Sequence, residues 1–105
     1  MKNDARRGDV WMVDLGLAAK VRPCLLLTDF PVLDELALVT IIPHTTSLRG
    51  GRWEICLPQP YLREGAFHLQ QMLSVSVNKL KRRLGVLSDA DYGIILDKLA
   101  ERLSL

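Results

Sequence analysis

Aromatic side chains are scarce in this sequence, 6% of its 105 residues, so a core must be built mainly from Leu, Ile and Val. Cysteine occurs twice, at Cys24 and Cys56, each in an apolar, strand-like run. That placement predicts buried reduced thiols rather than a disulfide. Two cysteines and two distant histidines, His44 and His68, lack the spacing of a zinc site, and neither a metal nor another cofactor is expected. No apolar run approaches the roughly 20 residues that cross a bilayer. The opening Met1 to Arg7 is polar, without the apolar segment of a secretory signal. A cytoplasmic protein with no membrane partner is therefore expected. No Gly-rich phosphate loop, HExxH or GxSxG motif occurs, which removes the commonest nucleotide-binding, metalloprotease and serine-hydrolase chemistries. Net charge gives little direction: 14 Lys and Arg against 12 Asp and Glu leave +2.

What is present suits a single domain, residues 1–105, with one core. Apolar residues make up 49% and charged residues 25%, an ordinary globular balance. Proline and glycine punctuate short apolar runs of strand length. Asp9 to Leu15 alternates, with Val10 and Met12 on one side and Trp11, Val13 and Leu15 on the other. Cys24 to Thr28 and Leu36 to Ile42 read as strands buried on both faces. Arg52 to Leu57 alternates polar and apolar, as a half-exposed strand does; Phe67 to Leu73 and Arg83 to Val86 are further strand candidates. A turn of helix is expected at Ser76 to Leu80, and an exposed loop at Phe30 to Glu35.

The C-terminus changes period. Ser88 can cap a helix, with Asp91 placed to reach back to the cap amide. Tyr92, Ile95, Leu96, Leu99 and Leu103 then form one apolar stripe. Several short strands and one terminal helix predict a mainly β, α+β protein: a small, closed or nearly closed antiparallel barrel with a packed C-terminal helix.

Two segments can carry chemistry. In Val21-Arg22-Pro23 the proline biases Arg22 toward an extended backbone at the entry to a buried strand. Its guanidinium fork suits a phosphate, or equally a structural role capping carbonyls or pairing with Asp14 or Asp29. In Pro43-His44-Thr45-Thr46-Ser47 three hydroxyls follow a buried strand and precede the Arg-bearing loop Leu48-Arg49-Gly50-Gly51-Arg52. Hydroxyls and backbone amides there can hold phosphate oxygens, or the hydroxyls can satisfy their own turn. Lys79, Lys81, Arg82 and Arg83 form a second basic cluster, a solvated face unless other evidence intervenes.

Arg7-Gly8-Asp9-Val10-Trp11, then Asp14-Leu15, then Arg22-Pro23 before an apolar strand, resembles the opening of the MazF/PemK family of type II toxin–antitoxin toxins. Ile42-Pro43-His44-Thr45-Thr46 is similar to that family's strand ending in Pro, one residue, Thr, and Gln71 to Ser88 aligns with its approach to the final helix. The resemblance spans Arg7 to Leu103. It departs in the first loop, where only Gly16 to Val21 separate Leu15 from Arg22 and the Gly-Ser-Glu-Gln stretch common in the family is missing. It departs again at Leu73, where the family commonly has Arg.

The resemblance implies an SH3-like barrel of the MazF/CcdB type, forming a homodimer. It also implies a metal-independent, sequence-specific endoribonuclease acting on single-stranded RNA and leaving 2′,3′-cyclic phosphate and 5′-OH ends. Arg22 and Thr45 are the implied catalytic pair. Ser47, Arg49 and Arg52 line the RNA path, Gln71 reads a base edge, and His44 is a candidate proton donor that strand alternation turns away from Thr45. The implied protein partner is a MazE-like antitoxin with an acidic tail, and DNA is met only through that complex. A CcdB-like gyrase poison on the same fold, and a catalytically inactive RNA- or antitoxin-binding module, are the alternatives.

Overall fold

The computed structural model describes residues 2–16, 18 and 20–105. Seven strands precede one α-helix: β1 (Asp9–Asp14), β2 (Val21–Leu26), β3 (Leu38–Thr45), β4 (Glu54–Ile55), β5 (Ala66–His68), β6 (Leu73–Ser76), β7 (Leu80–Val86) and α1 (Asp89–Leu103). All pairings are antiparallel, in the order β4-β5-β3-β2-β1-β7, with β6 also on β3. The sheet is open. β4 and β7 end the path without pairing to each other, so the described ladders leave unclosed the sheet expected to form a closed or nearly closed barrel.

Alternation along the central strands feeds two cores. Trp11 and Val13 of β1 join Cys24, Leu26, Val39, Ile41 and Leu80 on one face. Val10 joins Leu25, Ile42 and Phe67 on the other, closed by Leu87, Ile95 and Leu99. β2 and β3 are buried on both faces because both cores use them, as their uninterrupted apolar sequences predict. α1 covers the second core, and Ser88 Oγ accepts from the Asp91 amide at 3.1 Å. The Asp91 carboxylate, expected to return to the cap, instead accepts from Gln59 Nε2 at 2.9 Å. Only Ile95 and Leu99 of the apolar stripe are buried; Leu96 and Leu103 remain 44% and 46% exposed.

The largest departure from the sequence reading lies between residues 52 and 76. The expected strand Arg52 to Leu57 shrinks to two residues, and Cys56 is exposed rather than buried. The expected strand Phe67 to Leu73 breaks into β5, a 3₁₀ turn at Leu69–Gln71, and β6. The cause is topological. One edge of β3 has two successive partners, β6 along Leu38 to Ile41 and β5 along His44 and Thr45. The chain must step from one end of β3 to the other, and the 3₁₀ turn makes that step.

Arg83, expected on a solvated basic face, is structural. Its Nε donates to the buried Asp9 at 3.0 Å, and Asp9 Oδ2 also receives the Arg6 amide and Trp11 Nε1. No helix among the described residues is long and apolar enough to cross a membrane.

Candidate active site

The site begins with two prolines. Pro23 and Pro43 lie in neighbouring strands, and neither has an N–H to give to a ladder. The β2–β3 ladder runs through Leu26↔Ile41 and Leu25↔Ile42 and stops at Cys24↔Pro43. Carried two residues further, the same register sets Arg22 opposite Thr45 at an unladdered mouth between the strands. β1 fixes Arg22 from the other side through Val13↔Arg22. The hairpin between β1 and β2 is closed by Leu15 N–H to Lys20 O (2.7 Å) and Lys20 N–H to Gly16 O (3.0 Å), with Lys20 itself at φ +53°. The short first loop noted in the sequence also contains Leu17 and Ala19, which lie outside the described residues.

Arg22, Thr45 and Ser47 stand where two concavities meet. One, of about 640 Å³, is lined by Met12, Pro23, His44, Tyr61, Arg63 and Arg82 among others. The other, of about 390 Å³, is lined by Arg22, Thr45, Ser47, Arg49, His68, Gln70 and Gln71. Of the six sequence-predicted site residues, five are thus brought together. Arg52 is not among those lining residues; its guanidinium sits 4.6 Å from the Trp53 ring centroid.

Thr45 is 8% exposed. Its Oγ1 accepts from the Ser47 amide at 3.0 Å. A hydroxyl whose lone pair is engaged by backbone keeps its proton for another acceptor, so Thr45 can donate into the mouth. His44 is 6% exposed, set edge-on to Phe67 with centroids 5.0 Å apart, and burial lowers its pKa from the usual 6.5. It lies on the opposite sheet face from Thr45, as alternation predicts, yet lines the larger concavity because that concavity wraps around the strand end.

The loop after β3 differs from expectation in one respect. The amides of Arg49, Gly50 and Gly51, candidates for a phosphate, all donate to the Glu54 carboxylate at 2.8–3.2 Å. Successive N–H groups make an anion nest, and Glu54 fills it. The Arg49 amide is the first cause of the depressed Glu54 pKa, with Gly50, Gly51 and His68 acting in the same direction against desolvation. Glu54 therefore fixes the loop that presents the Arg49 side chain. His68 Nε2 lies 3.9 Å from Glu54 Oε2, and its buried Nδ1 has no hydrogen-bond partner among the described residues.

The sequence reading missed Tyr61, Leu62 and Arg63, which wall the larger concavity. Tyr61 packs on Gly85, where an added Cβ would overlap the ring, and its buried hydroxyl has no partner among the described residues. Burial raises its pKa, helped by the charges of Asp91 and Asp9. Among the described residues no group of three or more His, Cys, Asp or Glu side chains could hold a metal ion.

An arginine and a hydroxyl at the mouth of a trough rimmed by Arg49, Arg63 and Arg82 make a protein that can bind a phosphodiester chain and act on it. The sequence model of the family described as PemK-like, MazF-like toxin of type II toxin-antitoxin system matches residues 6–103, and the chain belongs to that family. It is 34% identical over 86 residues to the probable endoribonuclease MazF5 of Mycobacterium tuberculosis (strain ATCC 25618 / H37Rv), covering 79% of this chain and 78% of that protein. Solved structures share the fold. An endoribonuclease in complex with its cognate antitoxin, from a mycobacterial species, superposes with a TM-score of 0.78 at 23% identity over 95% of both chains. The MazE–MazF complex of Deinococcus radiodurans gives 0.78 at 19% identity, again over 95% of both.

Proposed function

We propose that this chain is the endoribonuclease toxin of a type II toxin–antitoxin pair and cuts single-stranded RNA without a metal ion. The observation that carries this reading is the junction itself: Arg22 and Thr45 line both concavities, beyond the point where the β2–β3 ladder stops. The ribose 2′-OH attacks the adjacent phosphorus, the 5′-oxygen leaves with a proton, and the products are a 2′,3′-cyclic phosphate and a 5′-OH. Arg22 stabilises the charge that builds on the phosphorane oxygens, since an arginine keeps its proton and acts as a fixed cation. Thr45 donates its free hydroxyl hydrogen to a phosphate oxygen. Ser47 and Arg49 hold the chain beside them, and Gln71 reads a base edge.

The named relatives include an endoribonuclease bound to its antitoxin and a MazE–MazF complex. A MazE-like partner whose acidic segment lies along the arginine rim fits the same trough. The homodimer belongs to this reading. Leu38, Met72 and Leu73 are 42%, 37% and 40% exposed at the two ends of the β3–β6 pairing, apolar surface of the kind a second copy covers.

The test is single-turnover cleavage of a single-stranded RNA pool in EDTA, with wild type, Arg22→Ala and Thr45→Ala, each checked by a melting curve. Wild type cleaves with chelator present. Each variant loses about a hundredfold or more in rate, and the double variant is little worse than the weaker single one because both act on one transition state. Cleavage restored only by magnesium or manganese, or full cleavage by well-folded Arg22→Ala, overturns the mechanism. No cleavage by wild type overturns the activity.

A further inference from the structure

A third concavity, of about 390 Å³, continues the trough beyond His44. It shares His44, Leu62 and Arg63 with the larger concavity, so it lies one step further from Arg22 and Thr45 along the same surface. Leu57, Pro58 and Leu62 give it apolar walls, Arg63 and Gln59 give it polar groups, and the exposed Cys56 opens onto it.

Gln59 is held in one orientation. Its Nε2 donates to the Asp91 carboxylate at 2.9 Å and to Leu57 O at 3.3 Å. Both partners are acceptors only, so neither can face the amide oxygen, and the flip of the side chain is decided by the network. Both amide hydrogens are thereby engaged. The atom left with hydrogen-bonding capacity is Oε1, an acceptor on a residue that lines the concavity. We propose that this concavity is a base-recognition subsite for a nucleotide flanking the scissile phosphate, with Gln59 as its locked hydrogen-bond acceptor. The proposal rests on the RNA-cleavage reading above. The base lies between the apolar walls, as unstacked bases do, while Arg63 meets its phosphate. A fixed acceptor rewards a base held so that a donor meets it, an exocyclic amine of adenine, cytosine or guanine or the ring N–H of guanine or uracil. Asp91, in the first turn of α1, thus acts as a positioning residue, because its carboxylate sets which end of the amide is presented.

Two measurements test this. In the first, a random-sequence RNA pool is cut by wild type and by Gln59→Met, and the new ends are sequenced. Wild type should show a base preference at one flanking position. Gln59→Met should lose about tenfold of that preference, the worth of one hydrogen bond in discrimination, while keeping its preferences elsewhere. Identical preferences in both proteins, or no wild-type preference at any flanking position, overturn the subsite. In the second, wild-type protein is labelled with a maleimide, with and without a 2′-O-methylated single-stranded RNA pool that cannot supply the nucleophile. Cys24 serves as an internal blank, since it is buried and burial pushes its thiol up to about 12. RNA should slow Cys56 labelling at least tenfold. Unchanged labelling at saturating RNA, or protection by an acidic antitoxin peptide alone, overturns the subsite. If wild type protects Cys56 but cuts nothing, the catalytic reading fails and the subsite stands.

Discussion

Gly65 supports both the fold and the chemistry, and replacing it with alanine separates steric from conformational causes. It does not occupy the left-handed backbone region, so alanine is not barred by φ. Space is the obstacle. A Cβ there would overlap the Thr45 carbonyl oxygen, lie 2.8 Å from His44 Cε1 and 3.0 Å from the Thr45 carbonyl carbon. The obstructing oxygen is backbone, anchored where β3 pairs with β5 through Thr45↔Ala66, and cannot rotate aside as a side chain would. Relief requires β3 and β5 to part beside the candidate site. Overpacking of this kind costs roughly 1–3 kcal/mol, and an immovable neighbour places Gly65→Ala at the upper end. At about 4–8 °C per kcal/mol for a domain of this size, its Tm should fall by on the order of 10–20 °C. Displacing Thr45 by about 1 Å should also cost roughly a hundredfold in cleavage below the melting range. Gly93, half-buried in α1 with open space around its Cβ position, is the control. There alanine should raise stability by about 0.5–1 kcal/mol through helix propensity. Thermal melts and urea titrations read the first effect and single-turnover cleavage the second. Gly65→Ala within about 0.5 kcal/mol of wild type, the ordinary spread of surface substitutions, with cleavage undiminished, would refute the close approach and the rigidity inferred from it.

Acid should destabilise the protein in two stages. His44 has a lowered pKa when folded, so the unfolded chain takes up a proton first as pH falls below 6.5, and stability drops by at most about 1.4 kcal/mol per pH unit for that site. Glu54, also lowered, contributes stability that is complete above 4.5 and is lost as pH falls through its folded value. His44→Gln should therefore flatten the upper part of a Tm-against-pH curve and leave the lower part; an unchanged curve refutes the assignment. Arg83→Ala removes one of three donors from the buried Asp9 carboxylate. The half-exposed arginine limits the cost to about 1–2 kcal/mol, readable by urea denaturation, and a loss below about 0.3 kcal/mol would show the pair to be incidental.

The central strands were legible because alternation and β-branching are local signals. Val10 against Trp11 and Val13 falls to the two cores as the period demands. Region 52–76 was not, because its strands are short and its breaks answer to β3, a strand some thirty residues earlier, rather than to any proline or glycine of its own. The same reason hid Glu54. Its alternating neighbours read as a half-exposed strand, but its carboxylate is spent on three amides of the preceding loop, a match visible only once the chain folds back.

The candidate site divides along the same line. Arg22-Pro23 and Pro43-His44-Thr45 are each noticeable in sequence, yet neither says that it meets the other. What joins them is that both prolines fall on adjacent strands at the point where the ladder stops. A proline costs a sheet one hydrogen bond. Leu27 N–H bonds Thr40 O, so alternation turns Pro23 toward β3 and Pro43 toward the opposite edge of β3. The gap in the β2–β3 ladder is the bond that Pro23 cannot give. That gap is useful only if the residues just beyond it carry chemistry, and here they are an arginine and a threonine. Tyr61, Arg63 and Gln59 reach the trough from a segment whose sequence shows only turn punctuation, Pro58, Pro60 and Gly65. Gln59 depends on α1, whose first-turn Asp91 holds it from 32 positions away. The proposed catalytic pair is thus written into strand-end motifs, whereas the proposed substrate-selecting surface is assembled by tertiary contacts. Substitutions around Gln59 and Asp91 should accordingly retune which RNA is cut far more readily than whether RNA is cut.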